Sequence, residues 1–440
     1  MTFSPILLNS VEQLGYRVTV GDVTAQAGLD INLAQRGLLA LASDAGGHMQ
    51  VSDTGEIVYL FPKNFRSILR NKYWKIRLKE WWEKVWKVLF YLIRISFGIV
   101  LILSIILMVV AIFVIITALS NRDGDGDGDS GSSNSRGSSG PNLIFLPNFW
   151  LGPDLFWVFE PDYESKRRQR RENSQGEYQM NFLEAIFSFI FGDGNPNASL
   201  EERRWQDIGT VIRNQGGAVV GEQIAPYLDE IDAANKENED YMLPALIRFN
   251  GYPQVSPQGS IIYYFPDLQV TAKQRQGQSV SAYLREQLWR FSQAGSGQIM
   301  LSIGLGSLNI VLALILGALL KEEALKDIGG FIGFVDSIYW LLLSYGTAFL
   351  GIPLVRYFWL KGRNKKIADR NSLREQRALV MNQADKQLLK KINYARRFAA
   401  DKVITNEDIT YSTETDLLEQ EIKRSDKIDE EWQRRLDSSS

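Results

Sequence analysis

The sequence of 440 residues contains no cysteine and only one histidine, His48. Without thiols, these residues cannot form disulfides, use a cysteine nucleophile or hold an iron–sulfur cluster through thiolates. A single histidine cannot build a zinc site by itself. Basic residues number 49 and acidic residues 51, so the composition as a whole does not indicate a binder of polyanions. We therefore expect a chain without enzymatic activity, bound metal or cofactor.

A short motif occurs twice in the chain. Residues 50–62 read QVSDTGEIVYLFP and residues 254–266 read QVSPQGSIIYYFP, with eight identical positions. In both copies apolar residues alternate with other residues around a turn that contains glycine, a pattern typical of a β-hairpin. The motif therefore indicates an internal repeat.

Each hairpin follows a stretch whose apolar spacing predicts helices. The predicted order is helix, short strand, helix, turn, helix and hairpin, which is the order of a winged-helix domain. We therefore predict an α-helical membrane protein that carries two α+β winged-helix-like domains, at residues 1–66 and 201–270. The third helix and the wing at the hairpin tip supply the candidate partner-binding residues, which are Gln35, Arg36, Asp53, Thr54, Gly55, Pro257, Gln258 and Gly259.

Charge decides which class of partner these surfaces fit. Between residues 229 and 240, before the second hairpin, lie six acidic residues and one basic residue, Lys236. Because phosphate contacts supply most of the affinity for nucleic acid, this balance disfavours DNA and RNA and favours a protein client. Packing of one copy on the other or on the membrane is the structural alternative, and the oligomeric state stays open.

Three apolar stretches have the length of membrane spans. Residues 97–119 contain no charge and would form a helix of about 34 Å, enough to cross a bilayer. Residues 296–320 and 331–355 are the second and third spans, and their short connection predicts an antiparallel hairpin. Asp336 lies inside the third span and is a candidate intramembrane polar site, because a carboxylate there is costly unless it serves a function or reaches water or Lys326.

Tryptophan and basic residues alternate before the first span, in residues 71–94. This mixture suits the headgroup layer of a bilayer, so residues 71–119 are predicted to be an interfacial helix that continues into the span. The alternative is a surface on which RNA bases stack. The predicted membrane-interface anchors are Trp74, Trp81, Trp82 and Trp86.

Basic residues before the first span and after the third place both flanks on the cytoplasmic or stromal side. If both winged-helix-like domains lie on that side, the chain must return across the membrane between them. The bent, aromatic segment 143–159 can supply a re-entrant or fourth crossing, so three and four crossings both stay open. The other predicted parts are a flexible acidic Gly/Ser linker at 120–142, a basic segment with an amphipathic helix at 160–200, and a charged tail with one amphipathic helix at 356–440.

Two further stretches carry a resemblance to a known family. Residues 344–364 read SYGTAFLGIPLVRYFWLKGRN and residues 187–197 read FSFIFGDGNPN. Together with the twin hairpins, they resemble a family of integral membrane proteins of cyanobacteria and plastids that has no settled activity. The resemblance implies a thylakoid, plasma-membrane or plastid-membrane location. Plant relatives carry a loose label of iron–sulfur cluster biosynthesis, and no functional residue can be transferred from them.

These observations predict a non-enzymatic, membrane-tethered adaptor or assembly factor that binds protein clients through paired winged-helix-like domains. A membrane-bound winged-helix transcription regulator is the first alternative. A transporter or channel accessory subunit that uses Asp336 is the second.

Overall fold

The structure, a computed structural model, describes residues 4–72, 74–122, 180–229, 231, 239–274, 277–322, 330–422, 425, 429 and 432–433. Nearly all of the predicted linker 120–142, the bent segment 143–159 and the basic segment before residue 180 lie outside these residues. The chain forms two compact units. The first comprises Met1–Glu83, Asn195–Leu288 and Asn364–Ser440, and the second comprises Lys84–Gly194 and Trp289–Arg363.

The N-terminal part of the first unit, which we call module 1, combines four helices with a small sheet. Helix α2 begins at a capping box, in which Thr19 and Asp22 bond each other's backbone N–H groups, both at 3.0 Å. Helix α3 begins at Asp30, whose carboxylate accepts from the backbone of Asn32 and Leu33. The elements are α1 Pro5–Gln13, β1 Arg17–Thr19, α2 Val20–Ala27, α3 Ile31–Ala45, β2 His48–Ser52, β3 Ile57–Leu60 and α4 Phe65–Lys72.

A second segment of the first unit, which we call module 2, has a similar order of elements. It contains α7 Leu200–Asn214, β4 Ala218–Val219, α8 Gly221–Ile224, two short 3₁₀ turns, α9 Leu243–Phe249, β5 Tyr252–Val255 and β6 Ile261–Tyr264. Its sheet has the order β4-β6-β5, and the sheet of module 1 contains the matching order β1-β3-β2. The hairpin registers also match, because His48 pairs with Leu60 where Tyr252 pairs with Tyr264.

The two modules pack on each other through α2 and α7. A Cβ at Gly209 would lie 2.9 Å from Ala25, so only glycine lets these helices approach this closely. Asp22 is fully buried and joins three parts of the unit. Beyond its capping role, it accepts from the Thr271 hydroxyl at 2.9 Å and forms an ion pair with Arg213 at 2.9 Å.

The C-terminal part of the first unit contains short strands as well as helices. It contains the end of α12, Phe331–Asn382, then α13 Lys386–Ala395, β8 Lys402–Val403 and β9 Ile409–Ser412. Strand β9 extends the sheet of module 1 at β2, and β8 pairs in parallel with β7, Val270–Thr271, which follows the short α10, Pro266–Gln269. The sequence did not reveal these strands, because they are short and polar and their partners are more than a hundred residues away.

Ion pairs attach the C-terminal end of α12 to module 2 within the first unit. Arg374 is 1% exposed and contacts both Glu286, at 2.8 Å, and Asp229. Arg370 donates two hydrogen bonds to the same Glu286 carboxylate, at 2.7 and 2.6 Å. Buried charges of this kind require partners, and here each of them has at least one.

The second unit contains the apolar helices. Within the residues that the structure describes, three helices are long and apolar enough to cross a membrane, as the three apolar stretches predicted by length and composition: α5 Trp74–Arg122, α11 Ser296–Leu319 and α12. Helix α5 covers residues 74–119 of the segment 71–119 that was predicted as an interfacial helix and first span. Small residues permit close packing, since a Cβ at Gly306 would lie 2.6 Å from Phe349 and one at Gly346 2.5 Å from Asn309. Asn309 is buried and donates to Ser104 at 2.5 Å.

The FSFIFGDGNPN motif, residues 187–197, forms the C-terminal half of the short helix α6, Phe182–Phe191, and the loop after it. Gly192 ends the helix with φ +82°. Arg356 donates to the carbonyl of Phe189 at 2.8 Å and so caps the C-terminal end of α6. Asp193 accepts from Arg94 at 2.6 Å and from Ser188 at 2.5 Å. The polar residues of this motif therefore fix a local turn.

Candidate functional site

Module 2 exposes apolar side chains on its third helix and on the adjoining strand. Leu243 and Ile247, one helical turn apart on α9, are 57% and 65% exposed, and Val255 on β5 is 62% exposed. Pro253 is also exposed. We call these four residues the module 2 apolar surface. Exposed apolar groups that cluster in this way typically mark an interaction site.

The pairing of the hairpin places the strand residues on the same side as the helix. Pro253 pairs with Tyr263, which belongs to the buried core that α9 contributes to through Phe249. Directly paired residues share a face of the sheet, and so do residues two apart on one strand. Pro253 and Val255 therefore lie on the helix side of the sheet. Tyr252 lies on the opposite face, near Tyr264 and Phe398.

The four residues of this surface are uncharged and offer no cation to a phosphate group. Arg248 is the only charged residue between Leu243 and Tyr264. Its guanidinium lies over the ring of Trp205 at 4.5 Å and donates to the carbonyl of Gly28 at 2.9 Å, so it points into the contact between the modules. The surface therefore suits an apolar polypeptide rather than a nucleic acid.

The predicted site residues of module 2 lie at the tip of the same hairpin. Pro257, Gln258 and Gly259 are exposed. Gly259 has φ +80°, which a turn of this kind requires and which glycine adopts without strain. Sequence analysis missed Leu243 and Ile247. The signal was present, because the stretch LPALIRF is apolar except for Arg248, although only one side of the helix can face the core.

In module 1, Gln35 and Arg36 are exposed on α3. Leu33 and Leu39 on the same helix are 60% and 51% exposed, so this face mixes polar and apolar groups.

The predicted wing of module 1 contacts the C-terminal part of the chain. The backbone N–H of Asp53 donates to the carbonyl of Asp408 at 3.0 Å, and the hydroxyl of Thr54 accepts from Lys402. Gly55 is exposed at the turn, with φ +86°.

The predicted membrane residues lie on long helices. Trp81, Trp82 and Trp86 are 57%, 57% and 51% exposed on α5, as anchors in a headgroup layer would be. The side chain of Trp74 is outside the described residues. Asp336 is exposed near the start of α12, and its predicted alternative partner Lys326 also lies outside the described residues.

The charged clusters in the interior have a structural character. Lys391 on α13 forms ion pairs with Glu222 at 2.9 Å and Glu239 at 2.5 Å. Burial raises the pKa of nearby Tyr263, and the two glutamates raise it further, so its phenol stays protonated. Among the described residues, no three His, Asp or Glu side chains are grouped to hold a metal ion. These clusters compensate buried charge and leave the exposed surfaces as the functional candidates.

Comparison with known proteins finds similarity to a plant protein. No protein-family model matches the sequence, and no solved structure matches it. An uncharacterised chloroplastic protein of Arabidopsis thaliana is 38% identical over 443 residues. The alignment covers 98% of this chain and 81% of the relative.

Proposed function

The chain belongs to the family of the chloroplastic Arabidopsis thaliana protein, and we propose that it acts as a non-enzymatic, membrane-tethered adaptor or assembly factor for protein clients. Membership in this family supports a plastid-related membrane setting, and the finer location is a thylakoid, plasma or plastid membrane. These 440 residues hold no iron–sulfur cluster through thiolates, because they contain no cysteine.

The binding parts in this proposal are two winged-helix-like copies of one duplicated unit. The matching order of elements, the matching strand order and the matching hairpin register support a common origin for modules 1 and 2. The basic flanks of the predicted spans favour a cytoplasmic or stromal location for both modules.

The module 2 apolar surface is the observation that carries the proposal. A winged-helix domain that binds nucleic acid presents cations on its third helix, whereas here that helix presents Leu243 and Ile247 and its arginine is engaged elsewhere. Burial of apolar anchors at the centre of a contact supplies much of the affinity between proteins.

The test replaces the two helical anchors in the full-length protein, purified in detergent from its own membrane. Leu243→Asp with Ile247→Asp should lower the recovery of co-purifying clients by about thirtyfold, since losing such anchors costs about 2 kcal/mol. The matched control is Leu373→Asp with Leu389→Asp, which adds the same charges at positions of α12 and α13 that are 53% and 49% exposed and lie outside the third helices and hairpins of both modules.

The control should retain its clients within about twofold. Both variants are checked for an unchanged thermal midpoint before recovery is compared. Equal losses in both variants, or no loss in either, would contradict the proposal that this surface binds clients.

A further inference from the structure

The outer edge of β2 in module 1 carries a strand from the far end of the chain. Strand β9 pairs antiparallel with β2, with Val51 opposite Tyr411 and a register shift after it. The N–H of Thr413 donates to the carbonyl of Met49 at 2.9 Å, and the N–H of Met49 donates to the hydroxyl of Thr413 at 2.9 Å. The sheet of module 1 therefore accepts an extended segment at this edge.

The side chains of β9 are at most partly buried. Ile409 packs against a cluster of Val58, Val270, Ala272 and Ile404, and Tyr411 is 38% exposed. The fully buried anchor of this part of the chain lies upstream, at Ile404, which is 1% exposed. Strand β9 can therefore leave β2 while Ile404 and β8 stay in place.

The corresponding edge of module 2 is closed to a strand. Pro253 pairs with Tyr263 where Met49 pairs with Tyr59, so the two residues occupy the same position. Proline has no N–H, and the donor that Met49 offers to Thr413 does not exist at Pro253. Proline is a common means of preventing strand addition at a sheet edge. The two modules thus differ in a backbone N–H group that holds the added strand in module 1 and is missing in module 2.

The outer side of β9 is also closed. The side chain of Gln420 accepts from the N–H of Ser412 at 2.8 Å and donates to its carbonyl at 2.7 Å. These groups would otherwise be open to a further strand. The site for an added strand is therefore the β2 edge itself.

We propose that the β2 edge and the wing of module 1 form a strand-addition site, that β9 is its internal ligand, and that an extended segment of a client polypeptide replaces β9. This inference rests on the proposed adaptor function and names its second binding surface. The ligand is recognised mainly through its backbone, and it carries a hydroxyl residue at the position of Thr413 and no proline there. Because β9 is tethered, it competes at an effective concentration of about a millimolar, so clients enter only when it is released.

The test uses a labelled synthetic peptide of residues 406–422 and two forms of the otherwise intact protein in detergent. One is the full chain, and the other ends at residue 407, which removes β9 but keeps Ile404. The peptide should bind the shortened form at least tenfold more tightly than the full chain, measured by fluorescence anisotropy. Equal binding, or no binding to the shortened form, would overturn the proposal.

Two altered peptides give a specificity control that leaves the protein unchanged. Thr413→Pro removes both contacts to Met49 and should weaken binding at least tenfold, whereas Thr413→Ser keeps both and should bind within about threefold. If the proline peptide binds as well as the native one, the contact is not strand addition and the proposal fails.

The replacement of β9 by a client polypeptide is measured in a separate experiment. The shortened protein should recover more client than the full chain, and the native peptide, but not the proline peptide, should displace it. Peptide binding without any gain in displaceable client would show that the edge serves only the chain's own tail, which contradicts the client role. The peptide assay requires no client, so it distinguishes this failure from failure of the adaptor function.

Discussion

At the scale of single residues, the fold depends on buried charges whose partners come from distant parts of the chain. Asp22 illustrates what the sequence can and cannot predict. Its capping role is readable, because a threonine three residues before an acidic residue is a helix-start pattern. Its contacts with Arg213 and Thr271 are not readable, since no local pattern links positions about two hundred residues apart.

Replacing Asp22 by alanine should destabilise the first unit by about 3 kcal/mol or more, because it leaves Arg213 without its buried partner. Asp30→Ala, which removes an exposed cap, is the control and should cost about 1 kcal/mol. The comparison uses denaturant unfolding followed by tryptophan fluorescence. Equal costs for the two variants would show that the pair with Arg213 contributes nothing.

Glu286 should make the stability of the first unit depend on acid pH. Burial acts to raise its pKa, but hydrogen bonds from Arg370 and the charges of Arg374 and Arg370 outweigh burial, so the pKa of Glu286 lies below its ordinary value. The unfolded chain therefore binds the proton more readily than the folded chain. Stability is fully present above the ordinary glutamate pKa, about 4.3, and is lost as pH falls through the lower folded value.

A Glu286→Gln variant should be less stable at neutral pH and should lose less stability between pH 6 and pH 3 than the native protein. Thermal midpoints across that range measure the difference. Glu414→Gln, an exposed position, serves as the control. If the thermal midpoints of the native protein and of Glu286→Gln fall by the same amount between pH 6 and pH 3, Glu286 does not cause the loss of stability in acid.

At the scale of elements, hydropathy predicted where the apolar helices lie but not where they end. Helix α5 begins at Trp74 and α12 continues to Asn382, well outside the apolar stretches 97–119 and 331–355. Beyond the third span the sequence changes to Lys, Arg, Glu and Leu, which are good helix formers in water. An apolar run reports the limit of the lipid contact, whereas a helix ends only where its own backbone is capped or broken.

Gly346 should be essential for the packing of α11 on α12. A Cβ at this position would lie 2.5 Å from the Asn309 side chain, whereas a Cβ at Gly351 on the same helix meets nothing within 4 Å. We expect Gly346→Leu to destabilise the second unit by about 1–3 kcal/mol and Gly351→Leu to have little effect. Thermal midpoints of the detergent-purified variants measure both. Similar midpoints for the two variants would argue against this helix contact.

At the scale of the whole molecule, the first unit is assembled from three separate stretches of chain. The repeated hairpin motif located the sheets of both modules, because a period of two around a glycine turn is a local signal. The contribution of the tail was not predictable, since β8 and β9 gain their structure only from partners in the modules. The expected charged tail is therefore partly a structural component of the first unit.

Truncation of the tail should show how far the stability of the first unit depends on β8 and β9. A chain that ends after Ala400 lacks Ile404 and both tail strands, exposes Val58 and should lose about 2–4 kcal/mol of stability. A chain that ends after residue 422 keeps both strands and Gln420 and should match the full chain. Unfolding midpoints of the two truncated proteins provide the comparison, and equal midpoints would contradict a structural role for the tail.

Strand β9 is translated long after the sheet that it joins, and this order affects how the protein is made. Arg17 donates to the carbonyl of Ile404 at 2.9 Å, so module 1 is completed by a segment that is translated 387 residues later. At ordinary rates of synthesis, that interval is on the order of half a minute. Throughout it the nascent chain presents an open sheet edge. A chaperone that shields this edge would therefore have to act during translation and depart once β9 has been made.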